Sequence, residues 1–153
     1  SNASGAIPRL LDLGTEPFLL SSSLNTVVGQ RIARKICTHC KEPYSPPELI
    51  TQDIKKVLGP LLDTNKIVDG KLTLYKGKGC VECADSGFLG RVGIFEVLLV
   101  SDKVSRMILS HADSNAIEKQ AEEEGMITMK QDGYLKAVEG ITTIEEVLRV
   151  AQD

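Results

Sequence analysis

Apolar residues in the first part of the chain recur with two different periods, and each period predicts one type of element. Helical spacing runs over residues 6–13. Ser21–Ser23 supply N-cap oxygens for a second helix, which would carry Leu24 and Val28 on one face. Residues 30–36 alternate well enough to be a strand, although a helix also fits them. This part of the chain therefore predicts two helices followed by a strand.

The remainder predicts a short mixed region and then a strand that leads into helices. A helix is expected over 47–58 and an extended stretch over 71–75, whereas 87–93 is predicted to be loose. The run 94–100 has the composition of a buried strand. After that strand, helical spacing predicts helices near 114–124, 128–139 and 143–151. Helix starts are indicated by a cap at Ser101-Asp102, by Thr128 and by a capping box at Thr143-x-x-Glu146. Helix ends are indicated by Gly125 and Gly140.

Composition excludes several protein classes. The 153 residues are 42% hydrophobic and 25% charged, as expected for an ordinary globular chain. The formal net charge of -3 argues against a general nucleic-acid binder, which carries a basic surplus. No apolar run approaches the roughly 18 residues that cross a bilayer, and no signal-peptide pattern opens the chain. Residues 1–3, Ser-Asn-Ala, have the sequence of a purification-tag scar, so we leave them out of the fold prediction.

The four cysteines carry the strongest chemical signal in the sequence. Cys37, Cys40, Cys80 and Cys83 form two C-x-x-C pairs with 39 residues between them. Two tight turns that each supply two thiolates satisfy tetrahedral zinc, and four thiolates leave no position open for chemistry. The alternatives are two redox dithiols or a pair of disulfides. Glycine before one pair and prolines after the other favour turns over the strand–helix junction of a redox dithiol, so the spacing predicts one structural Zn²⁺.

The two histidines and the nearby cations are predicted to play minor roles. His39 lies inside the first C-x-x-C turn and is expected to face solvent, and His111 is expected at a helix end. Binding Zn²⁺ to four thiolates would bring the formal charge to about -5. Five cations flank the cysteine turns, namely Arg34, Lys35, Lys41, Lys76 and Lys78. We expect them to offset the negative charge of the thiolates rather than to contact nucleic acid.

No motif in the sequence assigns a reaction. The chain has no G-x-x-x-x-G-K-[ST], no G-x-S-x-G and no H-E-x-x-H, so no catalytic residue is predicted. Two other function classes stay open from the residues alone, a free zinc-ribbon module that binds nucleic acid and a dithiol oxidoreductase. On its own the pattern predicts an α+β module closed by zinc and followed by helices.

The order of motifs around the cysteines resembles the type II secretion and type IV pilus assembly ATPases, the GspE/PilB family. The matching stretches span nearly the whole chain, and they are 6–19, Gln30-Arg31-Ile32-Ala33-Arg34-Lys35-Ile36-Cys37, Gly79-Cys80-x-x-Cys83, Gly87-Phe88-x-Gly90-Arg91-x-Gly93-Ile94-x-Glu96, Gly125-Met126, Asp132-Gly133 and 140–147. Members of this family are cytoplasmic hexameric motors at the inner membrane, with a RecA-like core that hydrolyses ATP with Mg²⁺.

The resemblance implies a division of the chain into segments. The trailing part of the RecA-like core would be 4–36, the zinc-binding lobe 37–87, the returning core strand 88–100, and the helical C-terminal subdomain 101–153. The family's ATP-binding motifs are expected upstream, so this chain alone should not hydrolyse ATP. Arg91 would lie at the edge of the nucleotide site in the parent, or else pair with Glu96. The implied partner is the inner-membrane platform protein, held through Lys76 and Lys78, with no nucleic acid.

Overall fold

A computed structural model describes residues 2–152, and it is α+β as predicted. Helices and strands alternate irregularly along the chain. The helices are α1 (Ala3–Asp12), α2 (Pro17–Ser23), α3 (Glu48–Leu58), α4 (Asp102–Leu109), α5 (Ser114–Glu123), α6 (Met129–Val138) and α7 (Ile144–Val150), and short 3₁₀ turns lie at Gly59–Leu61 and Thr64–Lys66. The strands are β1 (Thr26–Ile36), β2 (Lys41–Tyr44), β3 (Leu74–Gly77) and β4 (Phe88–Leu99). No helix within residues 2–152 is long and apolar enough to cross a membrane.

The strands form two separate two-stranded sheets. β1 pairs with β4, and β2 pairs with β3 in an antiparallel hairpin that sets Lys41 opposite Gly77 and Tyr44 opposite Leu74. The chain divides into two compact units, and the boundaries between them fall inside β1, inside β4 and at the start of α6. The first unit holds the residues up to Gln30 and 95–129, and the second holds 31–94 and 130–152.

The first unit is built on α1, α2, α4 and α5. Its buried core is aliphatic and small, and it consists of Ala3, Ile7, Leu20, Leu98, Val104, Ile108, Ile117 and Ala121. Helix spacing of four places Val104 with Ile108 and Ile117 with Ala121, so α4 and α5 each bury one stripe. Ser101 and Asp113 begin these helices by accepting hydrogen bonds from Val104 N and Ala116 N.

The second unit contains the cysteines together with α3, α6 and α7. Two hydrogen bonds join α3 to α6, one from the Tyr134 hydroxyl to Asp53 and one from Gln131 Nε2 to the Val57 carbonyl. A Cβ at Gly133 of α6 would lie 2.4 Å from Val147 Cγ1 of α7. Only glycine at position 133 lets α6 and α7 pack this closely.

The prediction of a helix begun by Ser21–Ser23 is wrong. These serines end α2, and their hydroxyls donate to the carbonyls of Phe18 and Leu19 in the preceding turn. The helix starts earlier because Pro17 occupies its first position, where a missing N–H costs nothing. The residues assigned to the second helix instead open β1, where β-branched Thr26, Val27 and Val28 fit a pleated strand.

Two further expectations need correction, and each concerns a segment boundary. Residues 88–93, expected to be loose, belong to β4, with Gly90 taking a φ of 85° within the strand. Ser1 lies outside the described residues, but Asn2 and Ala3 are part of the fold. The Asn2 side chain caps α1 by accepting from Gly5 N, and Ala3 is buried.

Candidate metal centre

Two turns that close against each other position the four cysteines. Cys37 follows the end of β1 and Cys40 immediately precedes β2, while Cys80 and Cys83 follow β3. Cys37 N donates to Gly87 O at 3.0 Å, and Lys78 N donates to Cys40 O at 3.0 Å. The end of β1 therefore meets Gly87, and the 39-residue excursion begins and ends at one place.

The sulfur atoms are arranged as a metal site requires. The Sγ–Sγ distances are 3.8 Å for Cys37–Cys80, 3.8 Å for Cys40–Cys83 and 3.7 Å for Cys80–Cys83, and all four lie within 4.8 Å of one another. A tetrahedron with metal–sulfur bonds near 2.3 Å has edges of about 3.8 Å. The four thiols are free rather than joined in disulfides. The cluster can therefore hold one metal ion.

Backbone N–H groups point at two of the sulfurs and favour the thiolate form that a metal binds. Gly79 N donates to Cys40 Sγ at 3.3 Å, and Cys80 N and Gly87 N donate to Cys83 Sγ at 3.3 Å and 3.2 Å. Burial raises the pKa of Cys83, but these N–H donors outweigh burial and lower it to about 6. Burial and the neighbouring thiols raise the pKa of Cys40 to about 12. One thiolate forms readily, and further thiolates need a cation between the sulfurs.

A close contact between two glycines brings the two cysteine turns together. A Cβ at Gly77 would lie 2.0 Å from Gly87 O, and a Cβ at Gly87, whose φ is 79°, would lie 2.6 Å from Gly77 O. Both distances are impossible for real side chains. The Gly77–Gly87 contact is therefore a requirement of the site, and the sequence offered only the glycines themselves as a signal.

Three of the cations around the cysteines lie over aromatic rings. The Arg34 guanidinium is 4.1 Å from the Phe88 ring centre, Lys41 Nζ is 4.7 Å from that of Tyr75, and Lys76 Nζ is 5.7 Å from that of Tyr44. Cation–ring contacts of this kind contribute about 0.5–1 kcal/mol at exposed sites. The two lysine contacts therefore brace the β2–β3 hairpin, and the Arg34–Phe88 contact joins β1 to β4.

The sequence analysis missed a cluster formed by Arg34, Glu146 and Arg149. Glu146 accepts from Arg34 N at 2.8 Å and from Arg34 Nη2 at 2.7 Å, and Arg149 Nη2 donates to it at 2.9 Å. Glu146 is 2% exposed, and burial alone would raise its pKa, but the two arginines lower it to about 2. The contact between Glu146 and Arg149, three residues apart on α7, could have been predicted from helical spacing. Nothing in the sequence indicated Arg34, which lies 112 residues away.

The capping box predicted at Thr143-x-x-Glu146 is half formed. Thr143 Oγ1 accepts from Glu146 N at 3.1 Å, as a cap should. The Glu146 carboxylate does not close the box, because Arg34 and Arg149 hold it instead. This carboxylate thereby ties α7 to the strand that leads into Cys37.

Three other residues singled out in the sequence, His39, His111 and Arg91, are exposed. His39 does not belong to the cysteine cluster. Arg91 lies exposed on β4, directly after Gly90. Glu96, offered as its ion-pair alternative, is buried and accepts from Ala3 N at 2.8 Å and from Met129 N at 3.1 Å. Its role as a buried acceptor for two backbone N–H groups was not predicted.

These features define an α+β protein class in which four cysteines on two turns form a metal-binding centre at the base of a chain excursion. The family model described as "Type II/IV secretion system protein" matches residues 1–149, and the chain belongs to that family. The resemblance seen in the sequence motifs is thus confirmed.

Curated relatives carry the same assignment at high identity. The type II secretion system ATPase E of Vibrio cholerae is 40% identical over 153 residues, which is all of this chain and 28% of the relative. The type IV pilus assembly ATPase PilB of Thermus thermophilus is 40% identical over 149 residues, which is 97% of this chain and 16% of the relative. The type II secretion system protein E of Xanthomonas campestris is 41% identical, with 26% of its length covered. The chain thus spans little more than a quarter of these relatives at most.

Proposed function

We propose that this chain is the metal-binding, C-terminal part of a cytoplasmic motor whose ATP hydrolysis drives type IV pilus assembly or type II protein secretion. The observation that carries the proposal is the tetracysteine centre within a chain that aligns end to end with ATPases of both systems. Its own role is structural and docking. ATP and Mg²⁺ belong to the parent, and we expect no ATP hydrolysis by residues 1–153 alone in a phosphate-release assay.

The proposed metal is Zn²⁺, held by Cys37, Cys40, Cys80 and Cys83. Thiolates are soft ligands that suit zinc, and a full shell of four makes the site structural rather than catalytic. Bound there, the ion would balance the thiolate charges and cross-link the two turns. Metal analysis of the native protein, with thiols counted before and after chelation, tests this assignment.

A Cys80→Ser substitution is the sharper test of the metal site. We expect the variant to lose zinc, because three thiolates and a hydroxyl form a much weaker shell. Ser86→Ala serves as a control that removes a nearby hydroxyl without touching a sulfur. Retention of one zinc per chain by the Cys80→Ser protein would overturn the assignment.

We assign residues 4–36 and 88–100 to the trailing part of a RecA-like core and 101–153 to the helical C-terminal subdomain. In support, one face of the strands in the first unit is apolar and exposed, at Val28, Phe95, Val97 and Leu99. An isolated two-stranded ribbon is marginal in water, and an exposed apolar face of this kind needs a cover. Most of the length of the relatives lies outside this chain, so the parent has the residues to supply one.

We propose Arg91 as an edge residue of the nucleotide site in the parent. Its side chain is exposed on β4, and a guanidinium can stack on an adenine or pair with a phosphate. In the full-length motor, Arg91→Ala should lower nucleotide affinity while zinc content and hexamer formation persist. Unchanged affinity together with a lower melting temperature would make Arg91 a structural residue.

The proposed docking partner is the inner-membrane platform protein, which would hold the cytoplasmic hexamer at the membrane. Lys76 and Lys78 are exposed at the end of the hairpin and would face it. Reversing both to Glu in the full-length motor should weaken binding to the platform protein's cytoplasmic domains without changing zinc content. Lys103→Glu with Lys119→Glu makes the same charge change on exposed residues of the first unit and should leave binding intact. Equal binding by both double variants would leave the lobe only a structural role.

A further inference from the structure

The second unit contains a cleft whose lining the proposed function does not explain. Its volume is about 440 Å³, which lies in the size range of ligand sites and suits a few residues of an extended peptide. β1, β3, β4 and α7 all contribute to its lining. The side chains that matter here are Arg34, Lys76, Phe88, Glu145, Glu146 and Arg149.

Two guanidinium groups in this cleft are fixed in place and still have donors to offer. Arg34 and Arg149 each donate through Nε and Nη2 to the buried Glu146 carboxylate. Among the described residues, Nη1 of neither arginine makes a hydrogen bond. The two side chains remain 52% and 57% exposed. Because Glu146 already holds them, an anion that binds Nη1 pays little rotamer entropy.

The third cation of the cleft is also accessible. Lys76 Nζ lies 3.9 Å from Glu42, and both side chains are about half exposed, so this ion pair contributes little. Glu145 is the exposed acidic side chain of the lining, whereas Glu146 is buried and paired. The cleft therefore favours a ligand with several spaced carboxylates that places a neutral or basic group opposite Glu145.

We propose that this cleft is a docking site for an acidic peptide segment of a partner protein. Guanidinium edges match carboxylates in shape and charge. Phe88 also lines the cleft, and the Arg34 guanidinium lies 4.1 Å from its ring centre. This site adds detail to the proposed docking role. It rests on that role only for the identity of the protein that supplies the acidic segment.

The test uses the metal-loaded 153-residue chain and a fluorescein-labelled octapeptide of alternating Asp and Ser, with binding followed by fluorescence anisotropy at low salt. A dissociation constant of about 10–100 μM is expected, as for a short charged peptide. Lys76→Glu should weaken binding about tenfold, and Glu145→Lys should tighten it about fivefold. Lys71→Glu is the matched control, since Lys71 is an exposed lysine of the same unit but does not line the cleft. It should change affinity less than about threefold.

Three results would overturn the acidic-peptide site. The first is absence of peptide binding up to about 1 mM. The second is an equal loss in Lys76→Glu and Lys71→Glu, which would reduce the effect to overall charge. The third is tight binding of inorganic phosphate or ATP with the same dependence on Lys76 and Glu145, which would make the cleft a phosphate site. Failure of platform docking alongside peptide binding would refute the docking proposal and leave this site standing.

Discussion

Glu146 concentrates more interactions than any other side chain described here. It is almost fully buried, and it accepts from one backbone N–H and from two guanidinium groups. A carboxylate in this position stabilises the fold only while it is ionised, because protonation would leave two half-buried cations without their partner. The stability of the fold at low pH should therefore depend on Glu146.

We predict that Glu146→Gln flattens the loss of stability at low pH. The folded pKa of Glu146 is about 2, below its ordinary value of 4.5, so its contribution is present above pH 4.5 and is lost as pH falls toward 2. Near neutral pH the variant should lose about 2 kcal/mol of unfolding free energy, less than full linkage because the arginines are half exposed. Denaturant unfolding at several pH values measures both effects.

The control for that experiment is Glu145→Gln. Glu145 is the adjacent residue and is exposed, so the change of formal charge is the same while the buried pairing is kept. Parallel pH curves for the wild-type and Glu146→Gln proteins would show that the pairing does not stabilise the fold. Acid release of a metal held by the cysteines would affect all three proteins alike and would cancel from the comparison.

At the scale of elements, α6 connects α3 to the rest of the second unit. Tyr134 and Gln131 bind α3, Gly133 admits Val147 of α7, and Lys136 Nζ donates to Gly93 O of β4 at 2.9 Å. α3 lies within the excursion between the cysteine pairs. Its attachment to α6 means that the excursion is held by side-chain contacts as well as by the metal turns.

We predict that Tyr134→Phe lowers the free energy of unfolding by about 1–2 kcal/mol, because the change removes a hydroxyl and leaves the Asp53 carboxylate without its donor. Burial and Asp53 raise the pKa of Tyr134 above its ordinary value of 10. The stability it contributes is therefore present below about pH 10 and falls as pH rises above it. Tyr75→Phe is the control, because the Tyr75 hydroxyl has no hydrogen-bond partner among the described residues, and it should change stability by less than about 0.5 kcal/mol. Equal effects of the two changes would contradict the proposed α3–α6 tie.

The elements also show how far the sequence could be read. Helices with explicit caps and stops were predicted, as at Ser101, Gly125 and Thr143, because capping is a local interaction. Ser21–Ser23 failed because a serine hydroxyl can bond forward as a cap or back to the preceding turn, and composition does not distinguish the two. The cysteine spacing found the metal centre, whereas Glu146 and the Gly77–Gly87 contact depend on residues that only the fold brings together.

At the scale of the whole molecule, both compact units bury apolar side chains, but the cysteine turns belong to the second unit alone. The first has an aliphatic core of its own, and the second contains the cysteine turns, α3, α6 and α7. Of the helices after residue 100, α4 and α5 belong to the first unit, whereas α7 and all of α6 beyond Met129 belong to the second.

We therefore predict that chelation of the metal exposes amides of 31–94 and 130–152 to hydrogen exchange and leaves those of the first unit protected. The physical reason is that the cross-link between the cysteine turns lies wholly in the second unit. Hydrogen exchange followed by mass spectrometry, with and without chelator, gives the answer peptide by peptide. Uniform deprotection of both units would show instead that the chain unfolds as one cooperative body.

The hydrogen bond from Cys37 N to Gly87 O makes the lobe, in polymer terms, a closed ring attached to its host at one point. Ring closure is an entropic cost that grows only with the logarithm of contour length, so doubling the excursion costs about 0.6 kcal/mol. Residues 67–71, between the last 3₁₀ turn and β3, could therefore accept an inserted fluorescent or affinity module with little thermodynamic penalty. The segment between the cysteine pairs can therefore change in length and sequence while the two C-x-x-C turns stay in place.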